Sequence, residues 1–321
     1  MRLGFDIMGG DYAPKTTVGG AVRALKALPK EVKLVLFGDE ARINALLAEH
    51  SVSPDNFEIV HTTEVIEMAD APLRAVSQKP NSSIGVGFKY LKEKKIDAFA
   101  SNGNTGAMMV GALYSVKAIE GVMRPCLITQ VPMENGNTGI LLDVGSNADC
   151  RPEMLCQFAL LGQVYTKYIC NTPDPKVGLL NIGEEEEKGN IVTIATHQLL
   201  KNHDGINFIG NVEARDLFDG TADVIVCEGF VGNVVLKEAE AFYKLIKRRK
   251  INDPYFDRFN YEIHGGSPIL GVNGNVLVGH GISNEEATKN LILLAKNMVD
   301  TQVTEKIRTA FSGNTWPAVK N

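Results

Sequence analysis

Residues 98–107 read AFASNGNTGA. A short apolar run suited to a buried strand ends at Ser101, and the turn Ser101-Asn102-Gly103-Asn104-Thr105-Gly106 opens onto a segment of helical composition. Two glycines let backbone N–H groups converge at a helix N-terminus while Ser, Asn and Thr side chains add donors. A nest of that kind favours an anion. Its glycine spacing is neither that of the Walker loop nor that of the dinucleotide fingerprint. Taken alone, the turn also fits a plain strand-to-helix connection with a Ser or Asn cap.

Outward from this stretch the same arrangement recurs. Short apolar, β-branched runs begin at Leu3, Lys33, Phe57, Ala98, Gly139, Lys176, Asp223 and Asn275, each suited to a buried strand. Helix-period segments lie between them: Ser83–Lys95 with Ile84, Phe88 and Leu91 on one face, and Pro152–Ile169 with Pro152 in the first turn. Another starts at Ser283, where Glu286 completes a capping-box spacing. Several strands end in Gly/Asn-rich turns: MGGDYAP after β-type residues at Met8, VGSNADCRP after Asp143, NIGEEEEKGN from Asn181 and CEGFVGN from Cys227. The alternation predicts an α/β fold with a mainly parallel sheet between helix layers, and such sheets bind ligands at these turns. With no internal repeat and no low-complexity linker, residues 1–321 are expected to form a single α/β domain. A charged, aromatic, glycine-free tract at about 238–264 is expected to leave it as a helical excursion at a dimer or partner interface.

A formal charge of −5 over 321 residues gives nucleic acid no global attraction, so any anionic partner needs a local site. The five cysteines form no CxxC pair, which argues against zinc and against a disulfide framework and suits a reducing cytoplasm. No stretch of about 18 uninterrupted apolar residues is present, and no signal peptide or transmembrane helix is read.

Several residues carry two readings. The four acids of NIGEEEEKGN suit a solvated helix start near the positive dipole end. Alternatively, Asn181 and Gly183 follow a strand directly, so Lys188 lies over the same sheet edge and offers a cation. Contiguous acids make poor Mg²⁺ ligands, and no metal is expected. Asp6 and Asp143, at strand ends, either cap loops or orient a substrate-binding group. Cys150 is read as a small inert thiol rather than a nucleophile, since no histidine lies near it in sequence. His264 and His280 are acid/base groups or structural. The basic run Lys244, Lys247, Arg248, Arg249 and Lys250 is a solvated helix face or a docking surface.

The strings MGGDYAP, SNGNTGA, LLDVGSNADCRP, LLNIGEEEEKGN, GNVEARD, CEGFVGNVVLK and HGGSPILGVNG, in this order over residues 8–274, closely resemble the phosphate acyltransferase (PlsX) family. The resemblance implies a three-layer α/β/α fold related to isocitrate and isopropylmalate dehydrogenases and to phosphotransacetylase, forming homodimers. It implies transfer of a long fatty acyl chain from acyl carrier protein to inorganic phosphate, giving acyl phosphate for phospholipid synthesis, with no cofactor. Phosphate is a competent nucleophile on a thioester, so the protein must hold a dianion and stabilise an oxyanion.

On this reading Ser101, Asn102, Gly103, Asn104, Thr105 and Gly106 cradle phosphate, and Lys188, Asn233 and Asn104 are the catalytic candidates. Asp6, Gly9, Gly10, Asp143, Asn147, Asn181, Gly183, Glu184, Gly229, Phe230 and Gly232 make up the substrate-binding set. The basic run Lys244–Lys250 docks the acidic carrier protein. The stretch Glu238 to His264 is shorter than the family's interface helices and lacks their long apolar tip, which leaves peripheral contact with the inner face of the membrane open. A phosphotransacetylase-like enzyme or a dehydrogenase on the same fold, or a noncatalytic scaffold for acyl carrier protein, are the alternatives.

Overall fold

The computed structural model describes residues 1–312. In chain order its strands are β1 (Arg2–Asp6), β2 (Lys33–Gly38), β3 (Glu58–His61), β4 (Ala98–Ser101), β5 (Cys126–Pro132), β6 (Thr138–Leu142), β7 (Val177–Leu180), β8 (Phe208–Val212), β9 (Val224–Val226), β10 (Ser267–Leu270) and β11 (Asn275–Val278). The helices are α1 (Lys15–Ala27), α2 (Glu40–Glu49), α3 (Pro72–Gln78), α4 (Ser83–Lys92), α5 (Thr105–Ser115), α6 (Pro152–Ile169), α7 (Ile191–Lys201), α8 (Gly229–Arg248), α9 (Pro254–Asp257), α10 (Tyr261–His264), α11 (Glu285–Asp300) and α12 (Val303–Phe311). The fold is α/β, with mostly parallel strands and helices on both sides.

The chain gathers into two compact units, Met1–Lys117 with Tyr261–Asp300, and Ala118–Asn260 with the residues from Thr301.

In the first unit the strand order is β3-β2-β1-β4-β11-β10, parallel throughout except that β10 runs antiparallel to β11. Register aligns Asp6 with Ser101 and Ser101 with Val278, so the C-terminal ends of β1, β4 and β11 lie side by side. Phe37 and Phe99 are buried against α4, whose Ile84, Phe88 and Leu91 face inward as the sequence spacing predicts, while Leu3, Phe5, Leu34 and Leu36, on alternate positions, fill the other face of the sheet. Phe99 meets Phe37 and Phe88 edge-on at 5.8 and 5.1 Å, a geometry aromatic rings prefer.

In the second unit the order is β5-β6-β9-β7-β8, with β5 antiparallel to β6 and the rest parallel. Helix α6 spans Pro152–Ile169, the predicted bounds, and buries Leu155, Phe158, Leu161 and Tyr165. The C-terminal ends of β6, β9 and β7 are neighbours, which places Asp143, Cys227 and Asn181 along one sheet edge.

Three strands lie outside the predicted set. β5 carries Thr129 and Gln130 in its middle, β8 contains Gly210 and Asn211, and β10 is four residues long after a glycine pair, so none shows a clean apolar run. The capping residue of α11 is Asn284, whose Oδ1 accepts from Ala287 N–H at 2.9 Å, rather than Ser283, whose buried hydroxyl has no partner. Residue 238 does not open a new element: α8 runs unbroken from Gly229 to Arg248, in the basic run.

Candidate functional site

The first unit collects the expected residues of β1 and of the β4–α5 turn. Asp6 is fully buried at the end of β1. Ser101 Oγ donates to Asp6 Oδ2 at 2.6 Å and accepts from Gly103 N–H at 2.9 Å, while Met8 N–H donates to Asp6 Oδ1 at 2.9 Å. One carboxylate therefore fixes the hydroxyl that shapes the Ser101–Gly106 turn. Burial holds the Asp6 carboxyl above the ordinary carboxylate value, and hydrogen bonds from Ser101, Ser83, Met8 and Gly9 pull against it. A Cβ at Gly9 would lie 2.4 Å from Asp6 Oδ2 and 2.8 Å from Gly103 N, so the two turns meet only because this residue has no side chain. Gly10 follows at φ +110°, and Asp11 N–H then donates to Gly281 O at 2.7 Å.

Asn104 caps α5. Its Oδ1 accepts from Ala107 N–H at 3.0 Å, and its Nδ2 donates to the carbonyls of Glu67, Met68 and Asp70 at 3.2, 3.1 and 2.9 Å. Asn102, 1% exposed, donates through Nδ2 to Thr288 Oγ1 at 2.8 Å. The sequence put both side chains on phosphate; the structure engages both within the protein, one as a latch on residues 67–70 and the other on α11. Groups of the turn with no partner among the described residues include the buried Asn102 Oδ1, the N–H groups of Thr105 and Gly106, in the first turn of α5, and the exposed Thr105 hydroxyl. A helix start of this kind attracts an anion through its dipole and its unpaired donors.

In the second unit Asp143 is buried immediately after β6. Its Oδ1 accepts from Leu127 N–H at 3.0 Å, Ser146 N–H at 3.3 Å and Ser146 Oγ at 2.7 Å. Its Oδ2 accepts from Asn147 N–H at 2.6 Å and Asn147 Nδ2 at 3.0 Å. Asn147 Nδ2 also reaches Pro125 O at 2.9 Å, and Asn147 O accepts from Gly229 N–H at 2.7 Å, which ties the turn to the start of α8. Ser146 was not a sequence candidate; its i+3 spacing from Asp143 was the available signal. Gly232 lies on the Asp143 carbonyl, where a Cβ would come within 1.9 Å of the oxygen. Asn233 sits beside Gly145, is exposed, and has no hydrogen-bond partner among the described residues, while Phe230 is 65% exposed on the same helix end.

Cys150 Sγ lies 3.6 Å from Asn147 O. Burial first, then the nearby Asp143 charge, pushes its thiol up to about 12, so it stays protonated at neutral pH and lacks the thiolate a nucleophile needs.

After β7, Asn181 Nδ2 donates to Lys188 O at 3.0 Å and Lys188 N–H donates to Glu185 O at 3.1 Å, folding the acidic stretch into a loop. Gly183 is buried against the Lys188 stem. The acids do not form a helix start: α7 begins at Ile191, with Asn190 and Thr193 as a capping box. Lys188 is exposed and its ammonium has no ion-pair partner among the described residues. Glu184 faces Arg215 at 3.7 Å. Glu184, Glu213 and Asp216 bring carboxylate oxygens within 4.8 Å of one another, and Arg215 contacts all three, supplying the positive charge there.

A family model described as "Fatty acid synthesis protein" matches residues 1–251. Two curated relatives named "Phosphate acyltransferase" are a Dictyoglomus turgidum protein, 44% identical over 96% of this chain and 96% of its own, and a Nostoc protein, 42% identical over 97% and 96%. Among solved structures, a phosphotransacetylase from Streptococcus pyogenes matches with a TM-score of 0.63 at 18% identity, covering 95% of this chain and 94% of that one. A branched-chain phosphotransacylase from Enterococcus faecalis gives 0.63 at 14% identity over 93% and 99%, and at such identities both matches speak to the fold. A family match over most of the chain and relatives above 40% identity along nearly all of it place this chain in the fatty acid synthesis protein family, whose curated members it resembles bear the name phosphate acyltransferase.

Proposed function

We propose that the chain moves a long-chain fatty acyl group from acyl carrier protein to inorganic phosphate, giving acyl phosphate and free carrier thiol. The observation that carries this reading is an anion-attracting helix start, held rigid by Asp6 and Ser101, on a chain whose thiols in the turns after β6 and β9, Cys150 and Cys227, stay protonated. Phosphate bound at Thr105 and Gly106 adds to the thioester carbonyl itself; the tetrahedral oxyanion collapses with cleavage of the C–S bond, and the proton of hydrogen phosphate ends on the departing carrier sulfur. Lys188 and Asn233, two polar groups of the second unit without internal partners among the described residues, are assigned to contact with the acyl thioester. Asn104 acts as a positioning residue through its cap and its hold on residues 67–70. The dehydrogenase and scaffold alternatives are not favoured by relatives that are named as acyltransferases.

The deciding experiment mixes the protein with acyl carrier thioester and phosphate and traps acyl phosphate with hydroxylamine. Hydroxamate is expected, and Cys150→Ala is expected to retain turnover within about twofold, since a protonated thiol contributes no covalent step. An acyl group mapped to Cys150 in quenched turnover would overturn direct attack, and absence of hydroxamate would overturn the transfer itself.

Carrier docking is assigned to the C-terminal end of α8. Lys247 pairs with Asp257 at 2.9 Å, whereas Lys244, Arg248, Arg249 and Lys250 are exposed without ion-pair partners among the described residues. Reversing Arg248 and Arg249 to Glu is expected to raise KM for the carrier thioester about tenfold at low salt, less at high salt, with the phosphate KM unchanged. An unchanged carrier KM together with lost binding to anionic vesicles would give the cluster to the membrane instead. Among the described residues no helix is long and apolar enough to cross one. The homodimer is assigned to the exposed stripe Phe230, Val234 and Leu245 of α8.

A further inference from the structure

A groove of about 470 Å³ runs along α8 within the second unit. One wall is a single helical stripe, Val235, Glu238, Ala239, Phe242, Tyr243 and Ile246, at i, i+3, i+4, i+7, i+8 and i+11. The facing wall is aromatic: Phe259 meets Phe218, Tyr255 and Phe256 with ring centroids 5.0, 5.6 and 6.5 Å away. Among the described residues its charged lining groups are Glu134 and Glu238. At one end it is flanked by Val235, two residues past Asn233, and by Ala214, two residues past the end of β8. That end is the C-terminal edge of the sheet, where the Asp143 and Asn181 turns also lie. The other end, at Ile246, is roughly 16 Å further along the helix.

We propose that this groove holds the hydrocarbon tail of the acyl thioester, with the carbonyl end at the Val235–Ala214 mouth and chain length read out along α8. The proposal rests on the acyl-transfer reading. A volume of about 470 Å³ with apolar and aromatic walls suits a small-molecule tail. Two glutamates and no cation repel both phosphate and an acidic carrier surface. The stripe assigned to a second copy, Phe230, Val234 and Leu245, lies roughly a third of a turn around α8 from the groove-lining stripe.

The test places tryptophan at two depths and compares butyryl, octanoyl and palmitoyl carrier thioesters. In the wild type kcat/KM rises with length, by up to about fourfold per methylene while the groove is filling. Ile246→Trp, at the far end, is expected to lower the palmitoyl value about tenfold and leave octanoyl within about twofold, a loss equivalent to about two methylenes. Ala239→Trp, one turn from the mouth, is expected to lower both while butyryl stays within about twofold. Direct displacement of a fluorescent fatty acid, cis-parinarate, reports the groove without turnover. If Ala239→Trp fails to fold, Ile246→Trp decides at the open end. Folded variants that keep the wild-type length preference and parinarate affinity overturn the proposal. So does a shift from dimer to monomer in sedimentation with unchanged length preference, which would make the groove a subunit contact. Wild-type protein that yields no hydroxamate from any length sinks the transfer reading alone, and loss of parinarate binding in Ala239→Trp then still decides the groove.

Discussion

Asp143→Ala is expected to cost about 3 kcal/mol or more, because the Leu127, Ser146 and Asn147 donors around its carboxylate become buried without an acceptor. For a unit of this size that corresponds to a melting temperature lower by roughly 6–12 °C. Activity should fall with it, since the same network ties the β6 turn to the first turn of α8 through Asn147 and Gly229. Asp143→Asn separates geometry from charge. It keeps one acceptor oxygen for Leu127 and Ser146 but sets an amide N–H against the donors of Asn147, so it should fall midway. Thermal melts of the two variants read the difference. An alanine variant melting within about 2 °C of the wild type would show the network to be dispensable.

Gly232→Ala should be among the most damaging single methyl groups in the described residues. Its Cβ would lie 1.9 Å from the Asp143 carbonyl oxygen and 2.9 Å from Cys227 Sγ, and the first of these neighbours is backbone that cannot rotate away. Helix α8 must therefore lift from the β6 turn. Overpacking of this kind costs about 1–3 kcal/mol. With Asn233 in its proposed role, a shift of about 1 Å there, next along the helix, would lower turnover about 100-fold. Measuring kcat on protein shown to be folded by circular dichroism checks this, and turnover within about threefold of wild type would mean that the helix start does not position the reaction.

These two expectations show where sequence reading succeeds and where it stops. The eight apolar runs and the glycine-rich turns after them were legible because buried parallel strands must be continuously apolar and must end in tight turns. The bounds of α6 were legible from Pro152 and one apolar face. By contrast, the Asn104 bonds to residues 67–70 and the Asn102 bond to Thr288 join positions 34 to 37 and 186 residues apart, and no local pattern announces them. Both asparagines looked like ligands because an asparagine in a turn has the same composition whether its amide faces solvent or the protein. The acidic loop was misplaced for a related reason. Acids next to a helix favour the dipole, but Asn190 and Thr193 fill the cap more directly and set the start of α7 past them.

The first unit is closed by residues from the far end of the chain. β11 pairs with β4 through Asn275–Val278, Asn102 reaches Thr288, and Arg23 pairs with Glu285 at 2.8 Å. A ribosome delivers the N-terminus first, so β4 leaves the exit tunnel with one edge unpaired, and its neighbour strand follows after roughly 10–35 s at ordinary elongation rates. During that interval the open edge is a template for any other extended segment. The second unit holds β5 to β9 in one unbroken stretch and can complete its sheet while the first still waits. Assembly of the finished chain thus runs opposite to its order of synthesis, and a nascent polypeptide stalled before Asn275 carries the Ser101 turn on a sheet that has not yet received the strand beside it.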